Sequence, residues 1–579
     1  MAVDQKEVAR IFREYAALQE ILGENPFRVR ANENAARIIE GITGDLEALV
    51  DSGEITKIKG IGSGIAEKIR LILETGTFPE YEALKKKVPP GLLEMLRIPG
   101  MGPKKVKAVW EKLGITTIGE LEHACHENRL AMLEGFGQRS QEKILQGIAL
   151  VKKFKERHLI SEARAEALVL FQAVKNHPGV IRCEIAGSLR RWKETVKDID
   201  IVASARDEAR EAIMTHFTSQ PNVETVTAKG ETKSSVVLKT GINADLRLVT
   251  DQQFPYALHH FTGSREHNIA MREHAIKLGL KMNEYGLFRG EENLPCKDEA
   301  EIFARLGMDF IPPELRENFG EIEAALNHAL PTLVEQKDLK GMIHVHSNYS
   351  DGVNTIEEMA LACRERGYQY MVLCDHSKTS YYANGLDEAR VRQQHEEIDQ
   401  LNQKLEGIRI LKGIECDILP DGSLDFDDTV LATFDVVVAS VHSRFNMTEA
   451  EATRRIIRAL ENPYTTILGH PTGRLLLARE GYPVDLHQVL DAAAELGVAV
   501  EINANPHRLD LDWRFCKYAR DRGVMISIGP DAHQVRGLDD MIYGLGIARK
   551  GWLGPENILN TRSAEQLLAF ARNRRPKQR

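Results

Sequence analysis

The chain contains the stretch Gly187-Ser188-Leu189-Arg190-Arg191-Trp192, and shortly after it Lys197-Asp198-Ile199-Asp200-Ile201-Val202. The alternation of acidic and apolar residues in the second segment predicts a β-strand. Because the side chains of a strand alternate between its two faces, Asp198 and Asp200 are expected on the same face. Two carboxylates at this spacing form an oxygen-rich site that suits Mg²⁺ or Mn²⁺ better than Zn²⁺.

The glycine and serine ahead of this strand predict a tight turn, which two arginines follow. Ser188 and the backbone N–H groups of the turn could hold a phosphate, and Arg191 could neutralise its charge. A phosphate grip beside paired carboxylates is what metal-dependent phosphoryl transfer requires. The alternative is a solvated edge strand with two surface aspartates, which is the usual interpretation of an isolated Asp-x-Asp. The glycine-serine turn and the two arginines beside the strand make this alternative less favoured.

A later stretch, Asn243-Ala244-Asp245-Leu246-Arg247-Leu248-Val249, supplies another carboxylate. Its alternation also predicts a strand, with Asp245 on one face and Leu246 and Leu248 on the other. If the two strands pair, Asp245 completes a three-carboxylate site for two metal ions.

This pattern resembles the palm of the X family of DNA polymerases. The match continues in four further motifs: Phe261-Thr262-Gly263-Ser264, Asn268, Met271-Arg272 and Asn283-Glu284-Tyr285. Together these motifs are highly specific, whereas any one of them alone would be weak. The chain departs from the family at His260, where animal relatives have tyrosine, and at Trp192, where glycine is usual.

The resemblance implies a role for each matching residue. Three aspartates would be catalytic and would hold both metal ions: Asp198, Asp200 and Asp245. Six residues would bind the nucleotide, with Ser188 and Arg191 at its triphosphate tail: Gly187, Ser188, Arg191, Gly263, Ser264 and Asn268. The template strand would be contacted by Arg272.

Residues 1–85 have the apolar spacing of helices and contain the turn Gly60-Ile61-Gly62-Ser63-Gly64. Glycines let a backbone approach DNA closely, and free N–H groups at the start of the next helix can bind a phosphate. The pattern recurs in Gly100-Met101-Gly102-Pro103-Lys104-Lys105 and, more loosely, in Leu133-Glu134-Gly135-Phe136-Gly137. Because it repeats, we interpret the turns as helix-hairpin-helix motifs that bind the DNA backbone without reading its sequence.

Lys68, in the helix after the first turn, has two interpretations. In some X-family polymerases the first hairpin domain removes a 5′-deoxyribose phosphate through a Schiff base, and Lys68 matches the lysine that forms it. Such a nucleophile must be partly desolvated. The alternative, a surface lysine on a DNA-facing helix, is favoured because Gly64 and Asn32 replace a basic residue and a tyrosine of the relatives with this activity.

From residue 342 onward one pattern occurs seven times, in which a short apolar strand ends in an imidazole or acidic residue and a helical stretch follows. Examples are Met342-Ile343 before His344-Val345-His346, and Val436-Val437-Val438-Ala439 before His442. The pattern predicts a parallel barrel whose site lies at the carboxyl ends of the strands. Imidazole and carboxylate ligands together suit Zn²⁺, Mn²⁺ or Fe²⁺.

These strand ends resemble the PHP (polymerase and histidinol phosphatase) family of phosphoesterases, which binds a three-metal cluster. Nine positions match its ligand pattern: His344, His346, Asp351, His376, Glu415, His442, His470, Asp531 and His533. A single histidine is more often structural than a metal ligand, so the prediction of a metal site depends on the nine residues together. The resemblance implies three divalent metal ions, Zn²⁺, Mn²⁺ or Fe²⁺, that cleave a phosphodiester.

The composition is that of a soluble globular protein, with 43% hydrophobic and 28% charged residues in 579. The net charge of −9 is not typical of a nucleic-acid-binding protein, so DNA binding would depend on local basic faces.

Seven cysteines without a Cys-x-x-Cys pair argue against a disulfide framework. With neither a signal peptide nor an apolar run near the roughly 20 residues of a membrane helix, we expect a cytoplasmic protein at the nucleoid. We also expect a monomer.

We predict a multidomain protein of α+β and α/β class. Its parts are a first helix-hairpin-helix domain (1–85), a fingers-side helix-hairpin-helix DNA-binding domain (86–150), a nucleotidyltransferase palm (151–257), a nucleotide-selecting, thumb-like subdomain (258–320), a linker (321–339) and a distorted (β/α)7 PHP barrel (340–579). This order resembles bacterial members of the X family. It implies a repair polymerase that fills short gaps in primed double-stranded DNA from deoxynucleoside triphosphates, using Mg²⁺ or Mn²⁺. The barrel would be a 3′-5′ exonuclease and, by the same resemblance, an abasic-site endonuclease.

Two other functions stay open. The chain could be mainly a nuclease whose palm only binds DNA, although a pure binding surface would not need carboxylates beside phosphates. Alternatively, the barrel could hydrolyse small phosphate esters while the hairpins tether it to DNA.

Overall fold

The computed structural model describes residues 5–42, 46–126, 130–131, 133, 135–154, 157–380, 383–477 and 480–576. The chain divides into two compact units, Met1–Glu156 and Arg157–Arg579. This division lies close to the predicted start of the palm, and the finer domain boundaries stay predictions.

The first unit is helical, as the apolar spacing predicts. Its helices are α1 (Gln5–Ile21), α2 (Pro26–Glu40), α3 (Leu46–Asp51), α4 (Ser63–Thr75), α5 (Pro79–Lys85), α6 (Pro90–Met95), α7 (Pro103–Leu113), α8 (Ile118–His126) and α9 (Gln138–Phe154). A continuous apolar cluster runs from Val8 and Phe12 in α1 to Ile144 and Ile148 in α9. The two predicted hairpin domains therefore share one core.

Three turns that contain a left-handed glycine precede α4, α7 and α9. Gly60, Gly100 and Gly135 have left-handed φ angles of 101°, 87° and 83°, which favour glycine. At Gly60 a Cβ would also lie 2.5 Å from Cδ1 of Ile38. The common geometry confirms the repeat seen in the sequence, although Glu134 of the third turn lies outside the described residues.

The palm begins the second unit. Its elements are β1 (His158–Leu159), α10 (Ile160–Lys175), β2 (Val180–Ile185), α11 (Gly187–Arg190), β3 (Thr195–Val196), β4 (Asp198–Ala205), α12 (Arg210–Thr218), β5 (Val223–Lys229), β6 (Lys233–Leu238) and β7 (Asn243–Val249). Five strands form a sheet in the order β2-β4-β7-β6-β5. Strand β4 is antiparallel to β2 and parallel to β7, so the two strands that carry the predicted aspartates are neighbours.

The thumb-like region continues the chain. Its elements are α13 (Phe254–Thr262), α14 (Arg265–Lys277), β8 (Lys281–Met282), β9 (Leu287–Arg289), β10 (Glu292–Asn293), α15 (Glu299–Arg305) and α16 (Glu321–Leu326). It has an apolar cluster of its own, which includes Tyr256, Met271 and Phe303 and, from the far end of the chain, Trp552.

The barrel follows the predicted alternation of strand and helix. Its elements are β11 (Gly341–Val345), α17 (Ile356–Glu365), β12 (Tyr370–Leu373), α18 (Glu388–Lys404), β13 (Arg409–Asp417), α19 (Asp428–Leu431), β14 (Val436–Ser440), α20 (Glu449–Glu461), β15 (Ile467–Leu468), α21 (Leu486–Leu496), β16 (Ala499–Asn503), α22 (Trp513–Asp521), β17 (Ile526–Gly529), α23 (Met541–Lys550) and α24 (Ala564–Arg572). Seven strands pair in sequence order, all in parallel. A bridge between Val345 and Ala532 links the end of the first strand to the chain beyond the last. The distorted (β/α)7 barrel is thus confirmed.

All seven cysteines are buried and free. Among the helices that the structure describes, none is both long and apolar enough to cross a lipid bilayer.

Candidate active sites

Asp198, Asp200 and Asp245 lie on one face of the palm sheet. The register of β4 and β7 places Asp200 opposite Asp245, and Asp198 opposite Asn243. Ile199 is fully buried on the other face, as the strand alternation predicts. Burial, together with the charges of Asp198 and Asp245, raises the pKa of Asp200 to about 7. A divalent cation would relieve this repulsion, so the donor set fits the predicted metal ions.

The glycine turn lies directly against this carboxylate cluster. Gly187 has a left-handed φ of 66°, and a Cβ there would be 2.3 Å from Oδ2 of Asp200. Glycine is therefore required both by the backbone and by the close approach. Lys233, which sequence reasoning missed, lies with its Nζ 2.7 Å from Oδ2 of Asp245. Its ammonium is the nearest positive charge that the structure supplies to that carboxylate.

Arg191 joins the glycine turn to the thumb-like region. Its guanidinium forms an ion pair with Glu317, Nε to Oε1 3.0 Å, and donates to the Thr262 carbonyl. It also lies beside Gly263, where a Cβ would be 3.1 Å from its Nη1. The predicted phosphate-binding arginine thus already has a carboxylate partner, which no sequence motif indicated. Ser188 is half-buried in the short helix α11.

The remaining nucleotide candidates lie around the start of α14. Ser264 caps this helix, because its Oγ accepts a hydrogen bond from the N–H of His267 (3.2 Å). Asn268 donates to the carbonyl of His260 (2.8 Å), and Arg272 donates to Nδ1 of His260 (3.3 Å). The side chains of His260, Asn268 and Arg272 line a narrow cleft together with His259, Met282 and Asn283. The side-chain carbonyl of Asn268 is buried and has no partner among the described residues, so it is available to a ligand.

Two lysines of the helical unit make contacts that the sequence did not indicate. Lys68 lies 3.7 Å from Oε1 of Glu80, with its Nζ 5.2 Å from the ring centre of Tyr15 and 5.6 Å from that of Phe78. Lys105 donates to Oγ of Ser140 (2.9 Å) and so links the second hairpin to the third. By contrast, Lys104 is exposed.

The nine predicted barrel ligands converge at the carboxyl ends of the strands. Eight of them form three groups whose ligand atoms lie within 4.8 Å of one another: His346, Asp351, His376 and His533; His344, His346, Glu415 and Asp531; and His376, Glu415 and His442. The ninth, His470, lies with its Nε2 2.9 Å from Oε1 of Glu415. Because the groups share members, they could hold cations side by side.

Unpaired buried atoms support metal binding at this cluster. Six buried ligand atoms have no hydrogen-bond partner among the described residues: His344 Nε2, His346 Nδ1 and Nε2, His376 Nδ1, Glu415 Oε2 and His470 Nδ1. Orphaned buried polar atoms are costly unless something binds them, so the residues fit a set of divalent cations. His344, His470 and Asp531 also have positive φ angles of 71°, 21° and 53°. Such backbone strain at non-glycine residues concentrates at functional sites.

Strong attraction between carboxylates and imidazoles dominates the electrostatics. Burial acts to raise the pKa of Glu415, but His442, His344 and His376 hold it well below its ordinary value. Conversely, burial acts to lower the pKa of His442, but Glu415 and Asp417 raise it to about 10. Metal ions bind the deprotonated imidazole, so their binding would release protons from this cluster.

Two carboxylates lie behind the ligands; the sequence pattern placed Glu501 at a strand end without assigning it a role, and it did not indicate Asp417. Oε1 of Glu501 lies 2.5 Å from Nδ1 of His344, and Oδ1 of Asp417 lies 2.5 Å from Nδ1 of His442. Each carboxylate orients its imidazole so that Nε2 faces the cluster. The strand Val498-Ala499-Val500 leading into Glu501 was a usable signal, but its role behind a ligand could only be seen in the structure.

Four family models match the chain. They are the DNA polymerase beta thumb (257–317), a helix-hairpin-helix domain (3–78), a SAM-like helix-hairpin-helix tandem (92–149) and the PHP domain (343–505). Together with the carboxylate cluster and the histidine-rich barrel, they define a class of protein that joins a polymerase-type core to a PHP domain.

Among curated proteins, the DNA polymerase/3'-5' exonuclease PolX of Bacillus subtilis (strain 168) is 41% identical over 572 residues, covering 98% of this chain and 99% of that protein. The chain belongs to this PolX family, which confirms the resemblance found in the sequence. Proteins named "Probable phosphatase" from Thermoanaerobacter sp. (strain X514) and Thermoanaerobacter pseudethanolicus are each 30% identical over 236 residues, covering 38% of this chain and 89% of each relative.

Proposed function

We propose that the protein is a repair polymerase that fills short gaps in DNA by template-directed nucleotidyl transfer and removes 3′ ends by hydrolysis in its barrel. The observation that carries this proposal is the coexistence of two separate sites, the carboxylates of Asp200 and Asp245 on neighbouring palm strands and the histidine-rich set around Glu415 in the barrel. The PolX relative's name, which states both activities, supports it.

In the palm, Asp198, Asp200 and Asp245 would hold Mg²⁺ or Mn²⁺. When bound there, these ions would lower the pKa of the primer 3′-hydroxyl and neutralise the triphosphate. Ser188 and the turn at Gly187 would hold phosphate oxygens through their N–H groups, and Arg191 would supply a guanidinium. Contacts to the nucleotide would come from the turn Gly263-Ser264 and from Asn268, and Arg272 would contact the template.

The DNA itself would be held by the backbone turns of the helical unit. The residues proposed to approach its phosphates are Gly60, Gly62, Gly64, Gly100, Gly102, Lys104, Lys105, Gly135 and Gly137. Contacts of this kind give affinity without sequence preference, which suits an enzyme that fills gaps anywhere.

In the barrel, the nine ligand residues around Glu415 would hold three divalent ions, Zn²⁺, Mn²⁺ or Fe²⁺. These ions would activate water and bind the oxygens of a terminal phosphodiester. Glu501 and Asp417 would keep His344 and His442 in the orientation that binding requires. The same barrel would nick DNA at abasic sites.

A second candidate function is the hydrolysis of small phosphate esters, which the relatives named as phosphatases favour. A chromogenic phosphate ester and a duplex with a 3′ mismatch, offered to the same protein, separate the two functions. Faster cleavage of the ester at equal substrate concentration would favour the phosphatase.

Lys68 is proposed to serve the DNA-facing helix rather than a lyase reaction, because Gly64 and Asn32 replace a basic residue and a tyrosine of the relatives with that activity. Borohydride added during incubation with 5′-deoxyribose phosphate DNA should trap no adduct at Lys68. We further propose the domain boundaries given above, a monomer, and a cytoplasmic location at the nucleoid.

The direct test uses a labelled duplex with a single-nucleotide gap and a 5′-phosphate, incubated with Mn²⁺ with and without deoxynucleoside triphosphates. Extension with nucleotides and shortening without them are expected. Shortening under both conditions would make the protein a nuclease whose palm only binds DNA.

A further inference from the structure

A helix of the barrel contacts the phosphate-binding turn of the palm. Lys550, the last residue of α23, is fully buried. Its Nζ donates to the backbone carbonyl of Arg191 (2.9 Å), to Oε1 of Glu317 (2.6 Å) and to the carbonyl of Glu314 (3.3 Å). A buried ammonium is retained only where such partners satisfy it, so this contact is specific.

The carboxylate of Glu317 is shared between the barrel and the turn. Besides Lys550, it pairs with Nε of Arg191 at 3.0 Å and with Nζ of Lys193 at 3.5 Å. Lys550 therefore acts on Arg191 twice, directly at its backbone carbonyl and through Glu317 at its guanidinium. We call these three residues the Arg191–Glu317–Lys550 cluster.

The charge balance of this cluster favours anion binding. One carboxylate faces the cations of Arg191, Lys193 and Lys550, so it neutralises each of them only in part. Without Lys550, Glu317 would pair more fully with Arg191 and leave less positive charge for a triphosphate.

One turn earlier on the same face of α23, Gly546 packs against the next residue of the palm turn. A Cβ at Gly546 would lie 2.1 Å from Cε3 of Trp192. Trp192 itself has a left-handed φ of 56°. Positions four apart on a helix share a face, so Gly546 and Lys550 together support the segment that carries Arg191.

We infer that Gly546 and Lys550 of the barrel are positioning residues for nucleotide binding in the palm. They hold Arg191 and its neighbours in place and keep Glu317 from fully neutralising the Arg191 guanidinium. The inference rests on the proposed role of Arg191 at the triphosphate. It also gives the barrel a part in synthesis that is independent of its own metal-ligand cluster.

The test measures the dissociation constant of a deoxynucleoside triphosphate, with Mg²⁺, on gapped DNA whose primer ends in a dideoxynucleotide, so that binding is seen without chemistry. Incorporation on an ordinary primer and nuclease activity are measured in parallel. Lys550→Met should weaken nucleotide binding about tenfold, because Glu317 would then pair more fully with the Arg191 guanidinium. Lys550→Arg should restore most of the affinity, and nuclease activity should persist in both variants.

The matched control is Lys517→Met. Lys517 also lies in the barrel and reaches towards the thumb-like region, but it donates to the Phe319 carbonyl (3.1 Å) and lies over the ring of Trp552. It should leave nucleotide affinity unchanged. If both lysine variants weaken binding equally, or if Lys550→Met binds nucleotide as the wild type does, the inference is wrong.

Two further outcomes are a Lys550→Met variant that does not fold and a wild type that incorporates no nucleotide. If Lys550→Met does not fold, as loss of its nuclease activity would indicate, Gly546→Ala decides, because it adds only a Cβ against Trp192 and should also raise the dissociation constant. Unchanged binding in folded Gly546→Ala would then overturn the inference. If the wild type binds nucleotide but incorporates none, the proposed polymerase function is wrong. The inference about Lys550 is then still decided by the nucleotide dissociation constants of its variants.

Discussion

Gly187 and Asp200 are in such close contact that a Cβ on Gly187 would lie 2.3 Å from Oδ2 of Asp200. The turn proposed to grip phosphate and the strand proposed to hold metal ions are therefore fixed against each other. Gly187→Ala must displace one of them, and we expect nucleotide incorporation on gapped DNA to fall by at least about tenfold, since misplacement of reacting groups is costly. Single-turnover extension measures this, and nuclease activity should not change.

A control for Gly187→Ala separates backbone strain from displacement of the carboxylate. Gly241, also in the palm, has a similar left-handed φ of 84°, but a Cβ there would meet no described atom within 4 Å. Gly241→Ala should retain most of the incorporation rate. Equal losses in the two variants would mean that strain in the palm, rather than contact with Asp200, explains the effect.

Glu501 is expected to act on the barrel through His344. Glu501→Gln removes the charge 2.5 Å from Nδ1 of His344 and should weaken metal binding by about 10–100-fold, the usual effect of losing such a partner. Metal content after dialysis, measured by atomic absorption, should fall together with nuclease activity, while gap filling persists. Glu495→Gln, at an exposed position on α21, serves as the matched control. Full metal content in Glu501→Gln would show that Glu501 does not support metal binding through His344.

Nucleotide affinity should decline as the pH rises through about 8. Burial lowers the pKa of Lys550 to about 8, although Glu317 acts to raise it. Burial likewise acts to raise the pKa of Glu317, but Lys550, Arg191 and Lys193 lower it to about 2, so the carboxylate stays charged in this range. Above pH 8 the lysine loses its proton and the Arg191–Glu317–Lys550 cluster loses one positive charge.

The measurement is the nucleotide dissociation constant between pH 7 and 9.5, with Lys550→Arg as the comparison, because arginine keeps its charge throughout. The dissociation constant of the wild type should rise more steeply with pH than that of the variant. Identical profiles would show that another group controls the pH dependence.

Local patterns were sufficient to predict where the chemistry-bearing side chains lie. Strand alternation places Asp198 and Asp200 on one face, and parallel strands bring the residues at their carboxyl ends together. The choice of the nine barrel residues, which include Asp351 in a turn, came from the resemblance to the PHP family. The partners of these residues could not be predicted. Glu317 lies 126 residues from Arg191 in sequence, and Lys550 lies 359 residues away. Such contacts depend on how packed domains meet, which no local periodicity encodes.

The most direct test of two independent active sites compares Asp198→Ala with His344→Ala on two labelled gapped duplexes, one with a matched primer end and one with a 3′ mismatch. We predict that Asp198→Ala abolishes nucleotide incorporation but still shortens the primer, whereas His344→Ala extends matched primers and no longer removes the mismatch. Loss of both activities in either variant, with the protein still folded and bound to DNA, would contradict the account.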